Sequence, residues 1–183
     1  MANTGFKDPL IFPLHGVSPT LPESTFVAPG VVLAGDIEVG EDCSFWYHVV
    51  VRADVGKVRL GDRVNVQDHS MIHMTGGRSN TIIGDDVTIG HRAIVHGATI
   101  GNRVLIGMGA IILDDANIPD DCVVGAGALV TSGQTFEPGT MILGSPAKAV
   151  KKLDDKTRAM LIGSAYHYVE IAKLHRDAIE NID

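Results

Sequence analysis

The sequence predicts a mainly β fold, a parallel β-helix of short strands closed by a C-terminal α-helix. Three observations predict it. Large apolar residues recur every six positions through most of the chain. Glycine is abundant, 21 of 183 residues, while aromatic residues make up only 5%. The last stretch switches to apolar spacings that suit one face of a helix. A period of six fits neither a helix, which needs three and four, nor an ordinary strand, which needs two. Held over many units, it marks stacked repeats, none of which can bury its apolar face alone.

The elements follow in order. Residues 1–26 are aperiodic and carry Pro9, Pro13, Pro19 and Pro22. They form an extended lead-in expected to cover the first coil, because an open coil end is an unpaired edge. The coils occupy 27–150. Val27, Leu33, Val39, Phe45 and Val51 fall six apart, and the series resumes at Leu60, Val66 and Ile72. It resumes again at Ile83 and Ile89, then shifts by one to Ile94, Ile100, Ile106, Ile112, Ile118, Val124 and Val130. A glycine often comes next, as at Gly40, Gly61, Gly84, Gly101, Gly107 and Gly125, where backbones of neighbouring coils crowd. Coils stack at about 4.8 Å, the hydrogen-bonding distance between strands.

Two places break the rhythm. Three extra residues fall near Asp54–Lys57, and Met74–Asn80 reads as a loop whose Gly76 and Gly77 suit a turn. Gly144-Ser-Pro-Ala-Lys148 ends the coil. From 151 to 183 the chain reads as a helix packed on the prism, with Leu161, Ile162, Ala165, Val169, Ala172 and Ile179 on its apolar face.

Composition excludes several functions. Net charge is −7 without a basic cluster, which argues against nucleic-acid binding. No apolar run nears the roughly 18 residues of a membrane span, and no signal-peptide pattern opens the chain. Cys43 and Cys122 form no metal or redox motif, so a reducing cytoplasm is the expected home.

The segment 67–97 holds four of the eight histidines: His69, His73, His91 and His96. The position after each inward residue is normally small, yet Arg52, Gln67 and His73 occupy it. If Met74–Asn80 leaves the prism, Arg52, His73 and His96 stack on one face, with Gln67 and His91 on a neighbouring one. If that loop counts as a hexad, His73 aligns with His91 instead. Either way the three histidines do not share one face of one chain. A metal held by His73, His91 and His96 at about 2.0–2.1 Å therefore calls for a neighbouring chain, most simply around a symmetry axis. His48 and His69 are read as structural or supporting, and His15, His167 and His175 receive no role.

These residues resemble a narrower group. Val51-Arg-Ala-Asp54, Asn65-Val-Gln-Asp68, Met71-Ile-His73, Gly90-His-Arg-Ala-Ile-Val-His-Gly97 and Gly144-Ser-Pro-Ala-Lys148 are similar to motifs of the γ-class carbonic anhydrase-like proteins of the hexapeptide-repeat family. The resemblance covers nearly the whole chain. It implies a left-handed parallel β-helix, three hexads per coil, and a homotrimer with a metal at each subunit interface. His73 and His96 of one chain and His91 of the next are the implied ligands, for zinc by default or else iron or cobalt. Arg52 and Asp54 resemble the family's intersubunit ion pair. Gln67 resembles the residue that orients the metal-activated water, with Asp68 supporting the site. The implied reaction is reversible hydration of carbon dioxide to bicarbonate.

The sequence departs from the active archetype at its proton machinery. Where the archetype has a glutamate after the Arg-x-Asp motif, Val55 stands here. The loop that carries the archetype's shuttle glutamate is short here and holds no carboxylate. Tyr168 matches a helix tyrosine of members that also lack those glutamates. Competing readings are a coenzyme A-dependent hexapeptide acyltransferase, a metal-dependent thioesterase, and a non-catalytic metal-stabilised trimeric scaffold.

Overall fold

The computed structural model describes residues 8–181. The first seven residues of the lead-in and the last two of the chain lie outside them. Between Phe26 and Gly144 the chain winds about seven times around one axis as a parallel β-solenoid, and every strand pairing among its coils is parallel.

Three faces result. One carries Met71–His73, Ile94–His96, Ile111–Ile112 and Leu129–Val130 in successive coils. The second carries Thr81–Ile83, Thr99–Ile100 and Asn117–Ile118. The long strand Val50–Leu60 pairs with both and joins them into one ten-stranded sheet. The third face is an eight-stranded sheet that includes Phe26–Val27, Ser44–Phe45, Asn65–Val66 and Thr88–Ile89.

The hexad residues fill the interior: Leu33, Phe45, Val51, Val66, Ile72, Ile89, Ile106, Ile112, Val124 and Val130 are completely buried. One assignment needs correction. Val95, not Ile94, points inward; it is fully buried and pairs with Ile72 and Ile112. The rhythm therefore slips at Gly97 rather than before Ile94. Gly97 takes a φ of 60° and turns the chain one residue early, so that Ile100 falls back into line.

The two interruptions lie side by side. Ala53 pairs with Gly35 and Val58 with Ile37, so Asp54–Lys57 oppose Asp36 alone and bulge outward. The Met74–Asn80 loop runs along this bulge: Asn80 Oδ1 accepts from the Lys57 amide at 2.8 Å, and Met74 is wholly buried.

In the lead-in, Leu10–Phe12 adds a parallel strand beside Val32–Val39, and Thr20 bridges Glu38. At the other end Ala147–Lys152 turns back antiparallel on Thr140–Gly144, so strand persists where a helix is expected from 151. The helix spans Asp155–Glu180, capped by Asp154, whose carboxylate accepts from the Thr157 amide. Leu161, Ala165 and Ala172 are its buried residues, with Tyr168, Ile171 and Ile179 partly buried against the prism. Ile162, expected on that face, is 41% exposed. The helix lies across the third face, touching Phe26–Val27, Ser44–Phe45 and Thr88–Ile89. No helix among the described residues is long and apolar enough to cross a membrane.

Candidate metal centre

Coil stacking brings His73 and His96 together. They are in-register partners on adjacent strands, directly below which Val51 and Ile72 pair, so Arg52 heads the same column. His73 Nδ1 and His96 Nε2 face each other across 3.2 Å. Both rings are largely covered, with side chains 14% and 25% exposed.

Each ring is held by a carboxylate on its far nitrogen. His73 Nε2 donates to Asp54 Oδ1 at 3.0 Å, from the bulge in Val50–Leu60. His96 Nδ1 donates to Asp114 Oδ2 at 3.1 Å, from the coil above. Burial opposes ionisation of Asp54, but the hydrogen bonds from His73 and Arg52 outweigh it and hold the carboxyl below its ordinary range. Burial also works against Asp114. Hydrogen bonds from Ser79 and Thr75 overcome it and bring the carboxyl to about 2.

An ionised carboxylate only accepts. The outer nitrogens, His73 Nε2 and His96 Nδ1, therefore carry protons, and with both rings neutral the two facing nitrogens present lone pairs. Lone pairs this close repel unless a cation lies between them. Two ligands of a tetrahedral zinc ion, each about 2.05 Å from it, stand about 3.3 Å apart, close to the spacing seen. Carboxylate-anchored imidazoles are the usual support of such a site. These residues fit a divalent metal of the borderline-soft kind.

His91 is not part of this cluster. It stands at a corner of the prism, 46% exposed, with Nδ1 2.9 Å from Asp68 Oδ2. Among the described residues no three His, Cys, Asp or Glu side chains converge within one chain as a metal cage.

Gln67 is buried, and its Nε2 donates to Asn65 Oδ1 at 3.2 Å. Asn65 in turn donates to Thr88 Oγ1 at 2.9 Å, which meets Ser164 of the helix at 3.1 Å. This chain of contacts holds the Gln67 amide in one orientation. Tyr168 packs edge-on against Trp46, with ring centroids 5.7 Å apart; burial, then the charge of Asp68, pushes its phenol up. Arg52 pairs with Asp54 of its own chain. His48 and His69 occupy positive-φ corners and stack on each other at 5.2 Å. His175 accepts or donates to Tyr47 at 3.0 Å beneath the helix.

Asp114 escapes the sequence reading. It lies on the next coil, where the register sets it opposite Gly97 rather than His96, and its side chain reaches sideways to the ring.

The family described as "Bacterial transferase hexapeptide (six repeats)" matches residues 80–113 and 97–132. The carbonic anhydrase of Geobacillus kaustophilus is 43% identical over 152 residues, covering 82% of this chain and 83% of that protein. Protein YrdA of Escherichia coli is 42% identical, covering 86% and 89%. The chain belongs to the γ-class carbonic anhydrase-like family of hexapeptide-repeat proteins. Gamma carbonic anhydrase 2 of Arabidopsis thaliana mitochondria, another member, is 36% identical over 86% of this chain. The chain spans 59% of that relative and 61% of gamma carbonic anhydrase 1 from the same plant. Among solved structures, a hexapeptide transferase family protein from Anaplasma phagocytophilum superposes with a TM-score of 0.86 at 34% identity, covering 90% of this chain and 96% of that one. An N-acyltransferase from Bacillus cereus reaches a TM-score of 0.59 at 16% identity, a likeness of fold alone.

Proposed function

We propose that the chain is a carbonic anhydrase-like enzyme that hydrates carbon dioxide reversibly at a metal shared between subunits of a homotrimer. The observation that carries this reading is the convergence of His73 Nδ1 and His96 Nε2, with their outer nitrogens anchored on Asp54 and Asp114. The names of the relatives support the reaction. His73 and His96 supply two ligands, and His91 of a neighbouring subunit supplies the third. The metal, zinc by default or iron or cobalt, would lower the pKa of water from 15.7 towards about 7 and so supply a nucleophile at neutral pH.

The protein's own residues do the rest. Gln67, fixed through Asn65, orients the attacking water. Asp68 steadies His91. Arg52 and Asp54 lie on the same face as the two paired histidines, where an ion pair across the subunit boundary would brace it. Tyr168, the helix tyrosine packed on Trp46, is assigned the contact with substrate. The two cysteines, both buried and free, suit a reducing cytoplasm.

Proton export is the weak step. Val55 is 48% exposed where the family's archetype has a glutamate, and Met74–Asn80 offers no carboxylate. A second reading, a metal-stabilised scaffold with little or no catalysis, follows from this gap. General acid–base help is typically worth about 10²–10⁴-fold. Stopped-flow hydration of carbon dioxide on protein of measured metal content separates the two. We expect slow turnover, strongly assisted by imidazole buffer and abolished in His96→Ala. Full metal occupancy with no turnover at any buffer concentration would leave the scaffold.

A further inference from the structure

The side-chain cluster above His96 is built more elaborately than a connector requires. Asp114 is 8% exposed, and both its oxygens are fully engaged. Oδ1 accepts from the Thr75 amide at 3.2 Å and from Ser79 Oγ at 2.6 Å. Oδ2 accepts from Thr75 Oγ1 at 3.0 Å and from His96 Nδ1 at 3.1 Å. Three of these four contacts come from the loop that leaves the prism directly after His73. Gly97, next to His96, makes the approach possible: a Cβ there would collide with Asp114 Oδ1 and Ser79 Oγ. The loop also returns to the same strands, because Thr81 Oγ1 donates to the His73 carbonyl at 2.7 Å and accepts from the Gly97 amide at 3.1 Å.

We infer that Asp114 is a positioning residue: it holds His96 in the tautomer with the proton on Nδ1, and through Thr75 and Ser79 the short loop holds Asp114. The loop thus has a task besides carrying, or lacking, a proton shuttle. It clamps the carboxylate that aims His96 Nε2 at His73. An Asp114 rotated away would release the Nδ1 proton to either nitrogen, and a proton on Nε2 removes the lone pair that a metal needs. The inference rests on the metal reading above only for this last consequence. The tautomer itself is a property of the metal-free chain.

The test uses the full-length chain, freed of metal and labelled with ¹⁵N at histidine, at a pH where free imidazole is neutral. Long-range proton–nitrogen spectra read the tautomer of each ring, and His96→Gln identifies the His96 signals. The wild type should show His96 with its proton on Nδ1. Asp114→Asn should move it largely to Nε2 and weaken zinc binding, titrated against a chromophoric chelator, by about 10–100-fold. An unchanged tautomer in Asp114→Asn, or zinc affinity within about twofold of wild type, overturns the inference. Should Asp114→Asn fail to fold, Thr75→Val with Ser79→Ala leaves the carboxylate in place but unclamped. This pair should give mixed tautomers and a smaller loss in the same direction; a wild-type spectrum and affinity would overturn the loop's role. A wild type that has the Nδ1 proton on His96 yet takes up no zinc sustains the role of Asp114 and removes the metal reading instead.

Discussion

At the scale of residues, each of the three histidines has a carboxylate beside one ring nitrogen, but their positions are unequal. Asp54, Asp114 and Asp68 each stand within 3.1 Å of one ring nitrogen of His73, His96 and His91 respectively. Two of the rings face each other across 3.2 Å on one face of the prism, and the third stands 46% exposed at a corner. That asymmetry is what a shared site requires, and it yields a prediction. His73→Ala and His91→Ala chains, each unable to hold metal alone, should regain a fraction of sites when mixed trimers form from subunits unfolded and refolded together. Metal counted by atomic absorption in the mixtures is the measurement. If mixing restores nothing, both histidines belong to one chain's site and the subunit arrangement is wrong.

At the scale of elements, the C-terminal helix and the metal centre stand on different faces. Leu161 is 2% exposed and packs with Val123 and Leu153, while Leu105 and Met141 border the cluster. Leu161→Ala should cost about 2–4 kcal/mol, the usual loss for a buried leucine, read by urea denaturation. Metal bound per chain should not change, because the helix packs on the third face while His73 and His96 stand on the first. A loss of metal parallel to the loss of stability would mean that the helix buttresses the centre, through Ser164, Thr88 and Asn65 or by another path. The slip at Gly97 is a second feature of this scale. One missing residue pulls the coil tight beside His96, and the space it leaves admits Asp114 and Ser79.

At the scale of the whole molecule, the prism has one continuous apolar interior, and both cysteines are part of it. Desolvation pushes the Cys43 thiol up to about 12, and burial raises Cys122 as well. The thiolate is the reactive form, so neither cysteine should react with a disulfide reagent at pH 8 while the protein is folded. Both should react together as denaturant unfolds the chain. Fast labelling of Cys43 in the native protein would show that the helix lifts away from the prism, since Cys43 borders a cavity of about 120 Å³ lined by Val169, Ala172 and Arg176.

The sequence by itself determined the solenoid, because each hexad reports its own inward residue and needs no distant partner to be read. It also singled out His73, His91 and His96 and implied, through divergent faces, that a second chain completes the centre. It left open which histidines align, since that depends on whether Met74–Asn80 is counted as coil or loop. Only the tertiary structure decided this, by pairing His73 with His96 across 23 residues of sequence and leaving His91 at a corner. It also moved the slip from Ile94 to Gly97, which a run of interchangeable apolar residues such as Ile94 and Val95 cannot locate. Asp114 also became visible only in the tertiary structure, because its register partner is Gly97 and its contact with His96 is a sideways one. Its neighbours in sequence are ordinary coil residues, and its work depends on what the coil below and the loop beside it bring within reach.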